Sequence, residues 1–209
     1  MAGKTSVTGA VLAAVWLQLA PQAAATVPDI PMLVWLHNDA GVPPDILEKA
    51  RQLASSVFQN AGVQVIWIDD AAFTRSMPDQ LEQKRAFAGS IMQVRIMSRP
   101  MRKAMAVKED ALGMAIAEAR FAWIAYDKLG DSTRQAHIDL GDALGYVIAH
   151  EIGHLLLPVN SHSATGLMRK DLDPTLIALN RVHFSAEHGA RIRSTLEGLL
   201  ERLNSSRGR

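Results

Sequence analysis

The stretch HIDLGDALGYVIAHEIGHLLLP, residues 137–158, most constrains what this chain can fold into. Asp139 or Asp142 can cap a helix start and Pro158 ends the helix. Between them the residues are apolar nearly all the way round, and a helix apolar on every side has to lie buried. With 209 residues, 48% of them hydrophobic and 21% charged, the chain is long enough to cover that helix with a core of its own.

The covering elements can be read from the chain before it. PMLVWLHN, residues 31–38, is a short apolar run with Val and Trp, bounded by Pro and Asn-Asp, and reads as a buried strand. VPPDILEKARQLASSVFQNAG reads as a helix, with Pro44 in its first turn and Gly62 at its stop. Ile46, Leu47, Ala50, Leu53, Ala54, Val57 and Phe58 recur on one face at helical spacing. VQVIWID, 63–69, is a second strand, so these three elements form a βαβ unit with its strands parallel.

Residues 70–90 are mixed and polar and read as loop with a short helix. SIMQVRIM, 90–97, is a third strand, and 98–111 read as a long loop. The segment 111–117 reads as a short edge strand, and RFAWIAYDKL, 120–129, as a central one. After the buried helix a turn-rich stretch, 158–182, leads to a last helix. Ser185 is its cap, and Ile192, Leu196, Leu199, Leu200 and Leu203 are its buried stripe. The fold class is therefore α+β: a mixed twisted sheet of four or five strands with a backing helix and a buried active-site helix, followed by a smaller helical C-terminal lobe.

Residues 1–25 are expected to leave that fold. Lys4, an apolar run from about Val7 to Ala20, and small residues at Ala23, Ala24 and Ala25 follow the order of a cleavable secretory signal peptide. The apolar run is short for a membrane span and is broken by Gly9 and Gln18. The expectation is one domain over 26–209, secreted or periplasmic, with no stable membrane anchor after cleavage. There is no cysteine, so the exported domain has to hold together by its core alone. Without Lys4 the basic and acidic residues balance at 21 each, which excludes nucleic acid as an expected partner. The mild basic cluster at Arg99, Arg102, Lys103 and Lys108 reads as a solvated loop.

The chemistry lies on the buried helix. His150 and His154 are four apart, so both imidazoles share one face, one turn above the other. Two nitrogens so placed can meet one zinc ion at about 2.0–2.1 Å. Glu151, rotated by about 100° from His150, can lean over an open coordination position as a general base without binding the metal. Burying two histidines and a glutamate without such partners would be costly. A catalytic zinc takes three protein ligands and a water. His162, brought back by the turn after Pro158, is the expected third, with Glu187, Asp171, His183 and His188 as rivals. His137 or Asp142 could orient a ligand, whereas His37 reads as an ordinary strand-end residue.

HEIGHLLLPVNSHSATGLM resembles the metzincin zinc peptidases, especially the matrixin-like ones, whose pattern is H-E-x-x-H-x-x-G-x-x-H followed by a Met-turn. It is also similar to exported bacterial proteins predicted to be metallopeptidases. The match covers about 20 residues; beyond them only the element order agrees. Leu157 stands at the family's glycine, Asn160 at its third histidine, and His162 comes two residues later. The resemblance implies Met168 beneath the site and an extended peptide along edge segment 111–117. The expected function is a monomeric exported zinc metalloendopeptidase using Zn2+, acting on a peptide or protein. The alternative is a non-catalytic, zinc-stabilised binding or structural protein.

Overall fold

A computed structural model describes residues 29–68, 91–105, 111–171 and 173–207. The expected signal peptide at 1–25, the expected loop with a short helix at 70–90, and Lys108 lie outside the described residues.

Strand β1 (Ile30–Asn38), helix α1 (Pro44–Gln59) and strand β2 (Val63–Ile68) form the βαβ unit, and β1 pairs with β2 in parallel. Pro44 opens α1, where its missing N–H leaves no intrahelical bond unmade. Gly62, at φ +74, carries the turn into β2. Ala50, Ala54, Val57 and Phe58 form the buried stripe of α1, with Ile46, Leu47 and Leu53 packed against the same core. Burial of a side chain such as Phe58 contributes on the order of 1.5–3 kcal/mol.

Strands β3 (Met92–Met97), β4 (Gly113–Ile116) and β5 (Phe121–Ala125) complete a five-stranded mixed sheet in the order β2-β1-β3-β5-β4. β3 joins β1 and β5 in parallel, and β4 is the antiparallel edge. Alternation assigns the faces: Met32, Val34 and Leu36 of β1, Val94 and Ile96 of β3, and Ala122 and Ile124 of β5 share one buried cluster with the helices.

Three segments differ from the sequence expectation. The loop expected at 98–111 contains a helix, α2 (Arg99–Ala104), with Pro100 in its first turn. The strand expected at 120–129 ends at Ala125 and gives way to α3 (Tyr126–Ala136), whose buried face is Leu129, Gly130 and Thr133. The two new helices meet at one carboxylate. Asp127, in the first turn of α3, receives Arg102 Nη2 at 3.0 Å and Arg99 Nε at 2.9 Å. Arg102, expected on a solvated loop, is 5% exposed. The turn-rich stretch also holds a short helix, α5 (Pro174–Ala178), capped by the Asp173 carboxylate.

The buried helix, α4 (Leu140–Leu156), follows α3. Asp139 caps it, accepting from the Asp142 N–H at 3.0 Å. Every residue from Ala143 to Gly153 is buried, against α1 on one side and the sheet on the other. The last helix, α6 (Ala186–Arg207), is capped by Ser185 Oγ, which accepts from the His188 N–H at 3.1 Å. It buries Ile192, Leu196 and Leu199 in the common core, and Thr195 Oγ1 donates to the Leu156 carbonyl at 2.9 Å. No helix among the described residues is long and apolar enough to cross a membrane.

Candidate metal centre

Near its C-terminal end α4 carries His150 and His154, whose ring centroids stand 4.6 Å apart with the planes nearly perpendicular. The chain leaves the helix at Leu157, runs past the exposed Pro158 and Val159, and reverses at Asn160, which adopts φ +63. Asn tolerates that left-handed conformation because its short polar side chain can bond locally. The reversal brings Ser161 and His162 back over the helix. His162 Nε2 lies 3.1 Å from His154 Nε2, which lies 3.0 Å from His150 Nε2. The donor atoms of the three rings all fall within 4.8 Å of one another, and among the described residues this is the one such group of three.

The outward nitrogens decide what the inward ones can be. His150 Nδ1 meets the Leu167 carbonyl at 2.8 Å. A carbonyl only accepts, so Nδ1 carries the ring proton and Nε2 turns a bare lone pair inward. His154 Nδ1 faces Ser161 Oγ at 3.2 Å, an arrangement that orients that ring in the same sense. The three Nε2 atoms stand at about the spacing of tetrahedral zinc ligands, which is near 3.3 Å for bonds of about 2.0–2.1 Å. Three imidazole nitrogens converging at that spacing are a donor set that fits Zn2+.

Burial favours the neutral form of His150 and His154. Burial pushes His154 down to about 4, with His150 and His162 adding to the effect. Burial also lowers His150, against the opposing bond from Leu167. A neutral imidazole is the form that binds a metal. His150 is buried, His154 half-buried and His162 exposed, so the cluster is open to solvent on one side.

The Glu151 carboxylate is not part of that group. It is 6% exposed, lies against the backbone of β4 at Gly113, and burial raises its carboxyl to about 8. Below the histidines, Met168 is fully buried, and a Cβ built at Gly153 would come within 2.7 Å of its Sδ. The bare backbone of Gly153 lets Met168 lie flat against α4 between the two ligand positions. The turn carrying Met168 is fastened by Ser163 N–H to Met168 O and by Leu167 N–H to His183 O, both 2.8 Å.

The rival ligands are not in the cluster. Glu187 is exposed and paired with Arg191; Asp171 is exposed; the His183 ring contacts Asn60; His188 sits half-buried in the first turn of α6. Asp142 is held by Lys49 at the far end of α4, and His137 closes α3, so neither orients a histidine of the cluster. The groups that do so are Ser161 and the Leu167 carbonyl. Sequence reasoning missed both, along with Gly113, whose only signal was a glycine inside a strand pattern.

No protein-family model matches the chain, and no curated protein does. Two solved structures are similar to it. One is a zinc-dependent peptidase from Methanocorpusculum labreanum, with TM-score 0.53 and 18% identity over 76% of this chain and 99% of that one. The other is archaemetzincin from Methanopyrus kandleri, with TM-score 0.49 and 15% identity over 79% of this chain and 96% of that one. Identity this low speaks to the fold. The chain shares the α+β fold of a zinc-dependent peptidase, and its three-histidine cluster supports Zn2+ as the ion.

Proposed function

We propose that this chain is an exported zinc-dependent metalloendopeptidase in which His150, His154 and His162 hold the ion and Glu151 is the general base. The observation that carries the reading is the convergence of three imidazole nitrogens within 4.8 Å, open to solvent on one side, at the helix that also carries the buried Glu151. A structural zinc site would be closed and would have no use for that carboxylate.

Zn2+ held there supplies a Lewis acid that brings a water's pKa down towards about 7 and polarises a carbonyl. The Leu167 carbonyl and Ser161 keep two imidazoles turned inward. Glu151 takes a proton from the attacking water onto a carboxylate oxygen and delivers it to the leaving amine. Its burial, which raises the proton affinity of the carboxyl, favours uptake of that proton. The edge strand β4, which carries Gly113 against Glu151, is the surface along which an extended peptide would lie. The order of charge, apolar run and small residues over 1–25 supports export, and the protein acts as a monomer once that segment is removed.

The test pairs metal analysis with hydrolysis of labelled casein. Glu151→Gln should retain about one zinc per chain and lose cleavage; His162→Ala should lose zinc stoichiometry. Undiminished cleavage by Glu151→Gln would refute the mechanism. Unchanged tight zinc binding by His162→Ala would remove that residue from the ligand set.

A further inference from the structure

Gly113 opens the edge strand β4, where it pairs with Ile124 of β5. It does not adopt a positive φ, so its backbone conformation is one that other residues could take. A glycine in a strand weakens the ladder and offers nothing to pack, and it commonly marks a place where another group approaches the backbone closely. Here that group is Glu151. A Cβ built on Gly113 would stand 2.5 Å from Glu151 Oε1, 2.7 Å from Cδ and 2.8 Å from Cγ. The carboxylate fills the volume that any other residue's side chain would occupy.

Among the described residues no hydrogen bond or ion pair fastens that carboxylate. Its position is set by packing between α4 and β4, and the shape of the slot is the control. The walls are stiff. The Ala125 N–H donates to the Leu112 carbonyl at 2.8 Å immediately beside Gly113, and α4 is buried along its length. The Glu151 side chain is therefore the part that would give way.

We propose that Gly113 is a positioning residue for Glu151: the missing side chain on the edge strand is the slot that receives the carboxylate and fixes where it stands. The proposal deepens the peptidase reading and rests on it. A methyl group at 113 pushes the carboxylate out of the slot while leaving His150, His154 and His162 in place. Displacement of a reacting group by about 1 Å can cost on the order of 100-fold in rate.

The experiment compares the zinc-loaded mature wild type, Gly113→Ala, Glu151→Ala and the double variant. In the presence of Glu151, Gly113→Ala should lower the melting temperature by about 2–4 °C. In the Glu151→Ala background, where Cγ, Cδ and both oxygens are gone, the same change should be neutral or raise it. With labelled casein, Gly113→Ala should lose about 100-fold in kcat, with KM and zinc content close to wild type. An equal melting shift in both backgrounds, or undiminished kcat, overturns the proposal. If Gly113→Ala fails to fold, the double variant must recover the fold, and failure of both overturns it as well. If wild type leaves casein uncut while the melting shifts still depend on Glu151, the peptidase reading fails and the slot stands.

Discussion

Removing the Asp127 carboxylate tests whether the contact between α2 and α3 is a buried ion pair or surface decoration. Asp127 receives Arg102 Nη2 at 3.0 Å and Arg102 Nε at 3.3 Å, one on each oxygen, and Arg99 Nε at 2.9 Å. The Arg102 side chain is 6% exposed, that of Asp127 15%, and that of Arg99 58%. Asp127→Asn keeps one acceptor and turns an NH2 towards the remaining donors. The bond to exposed Arg99 contributes little. Leaving a buried guanidinium without its carboxylate typically costs about 3–5 kcal/mol. Arg102 has a further interaction of its own, so the lower end of that range, about 3 kcal/mol, is expected.

The pH dependence supplies the sign. Burial pushes the Asp127 carboxyl up, but the bonds from Arg102 and Arg99 outweigh it and hold the group below its ordinary value. A folded pKa below the unfolded one contributes stability that is complete above the unfolded value of about 3.9 and is lost as pH falls through the folded one. Urea unfolding of wild type and Asp127→Asn should therefore differ by a constant amount from about pH 7 to pH 5. The difference should shrink as pH falls below about 4. Equal stability at neutral pH, or a gap that widens on acidification, would refute the assignment of this pair to the core.

Two other substitutions probe the frame of the site. Ser161→Ala removes the partner of His154 Nδ1 and should weaken zinc binding by about 10–100-fold, as read by competition with a chelator; unchanged affinity would deny Ser161 an orienting role. Gly145→Ala places a methyl 2.8 Å from the Ala50 carbonyl and 2.9 Å from Leu53 Cβ, where α1 crosses α4. Overpacking there should exceed the helix-propensity gain of about 1 kcal/mol, so thermal melts should show a net loss of about 1–2 kcal/mol, and a rise in melting temperature would contradict the packing.

The parts of the fold legible in the sequence are those where one residue's surroundings are dictated locally. The stripe from Ala50 to Phe58, the caps at Asp139 and Ser185, and the all-round apolarity of α4 each follow from spacing or a single side chain. The boundary between β5 and α3 was not legible. The apolar run from Phe121 continues past the boundary into Tyr126, and Asp127 and Lys128 break it only after the helix has begun. Just past the strand end Asp127 meets two arginines 25 and 28 residues earlier, a contact that no local window contains.

The centre divides in the same way. His150 and His154 share a face because a helix repeats every 3.6 residues, so their pairing was visible in the sequence. His162 required a reversal after Pro158. Asn160, standing at the resembling family's third-histidine position, makes that reversal at positive φ, although the family's glycine position is an extended leucine. The chain brings His162 back over the helix by placing the left-handed turn where Asn can adopt it. The remaining determinants leave no side-chain signature. A backbone carbonyl at 167 orients one ring whatever residue stands there, and Gly113 acts by occupying no space. A sequence names the groups able to bind or transfer a proton, while the fold decides which donor faces them and how much room they have. For this chain the decisive quantities are therefore the 2.8 Å separation at Leu167 and the volume left open at 113.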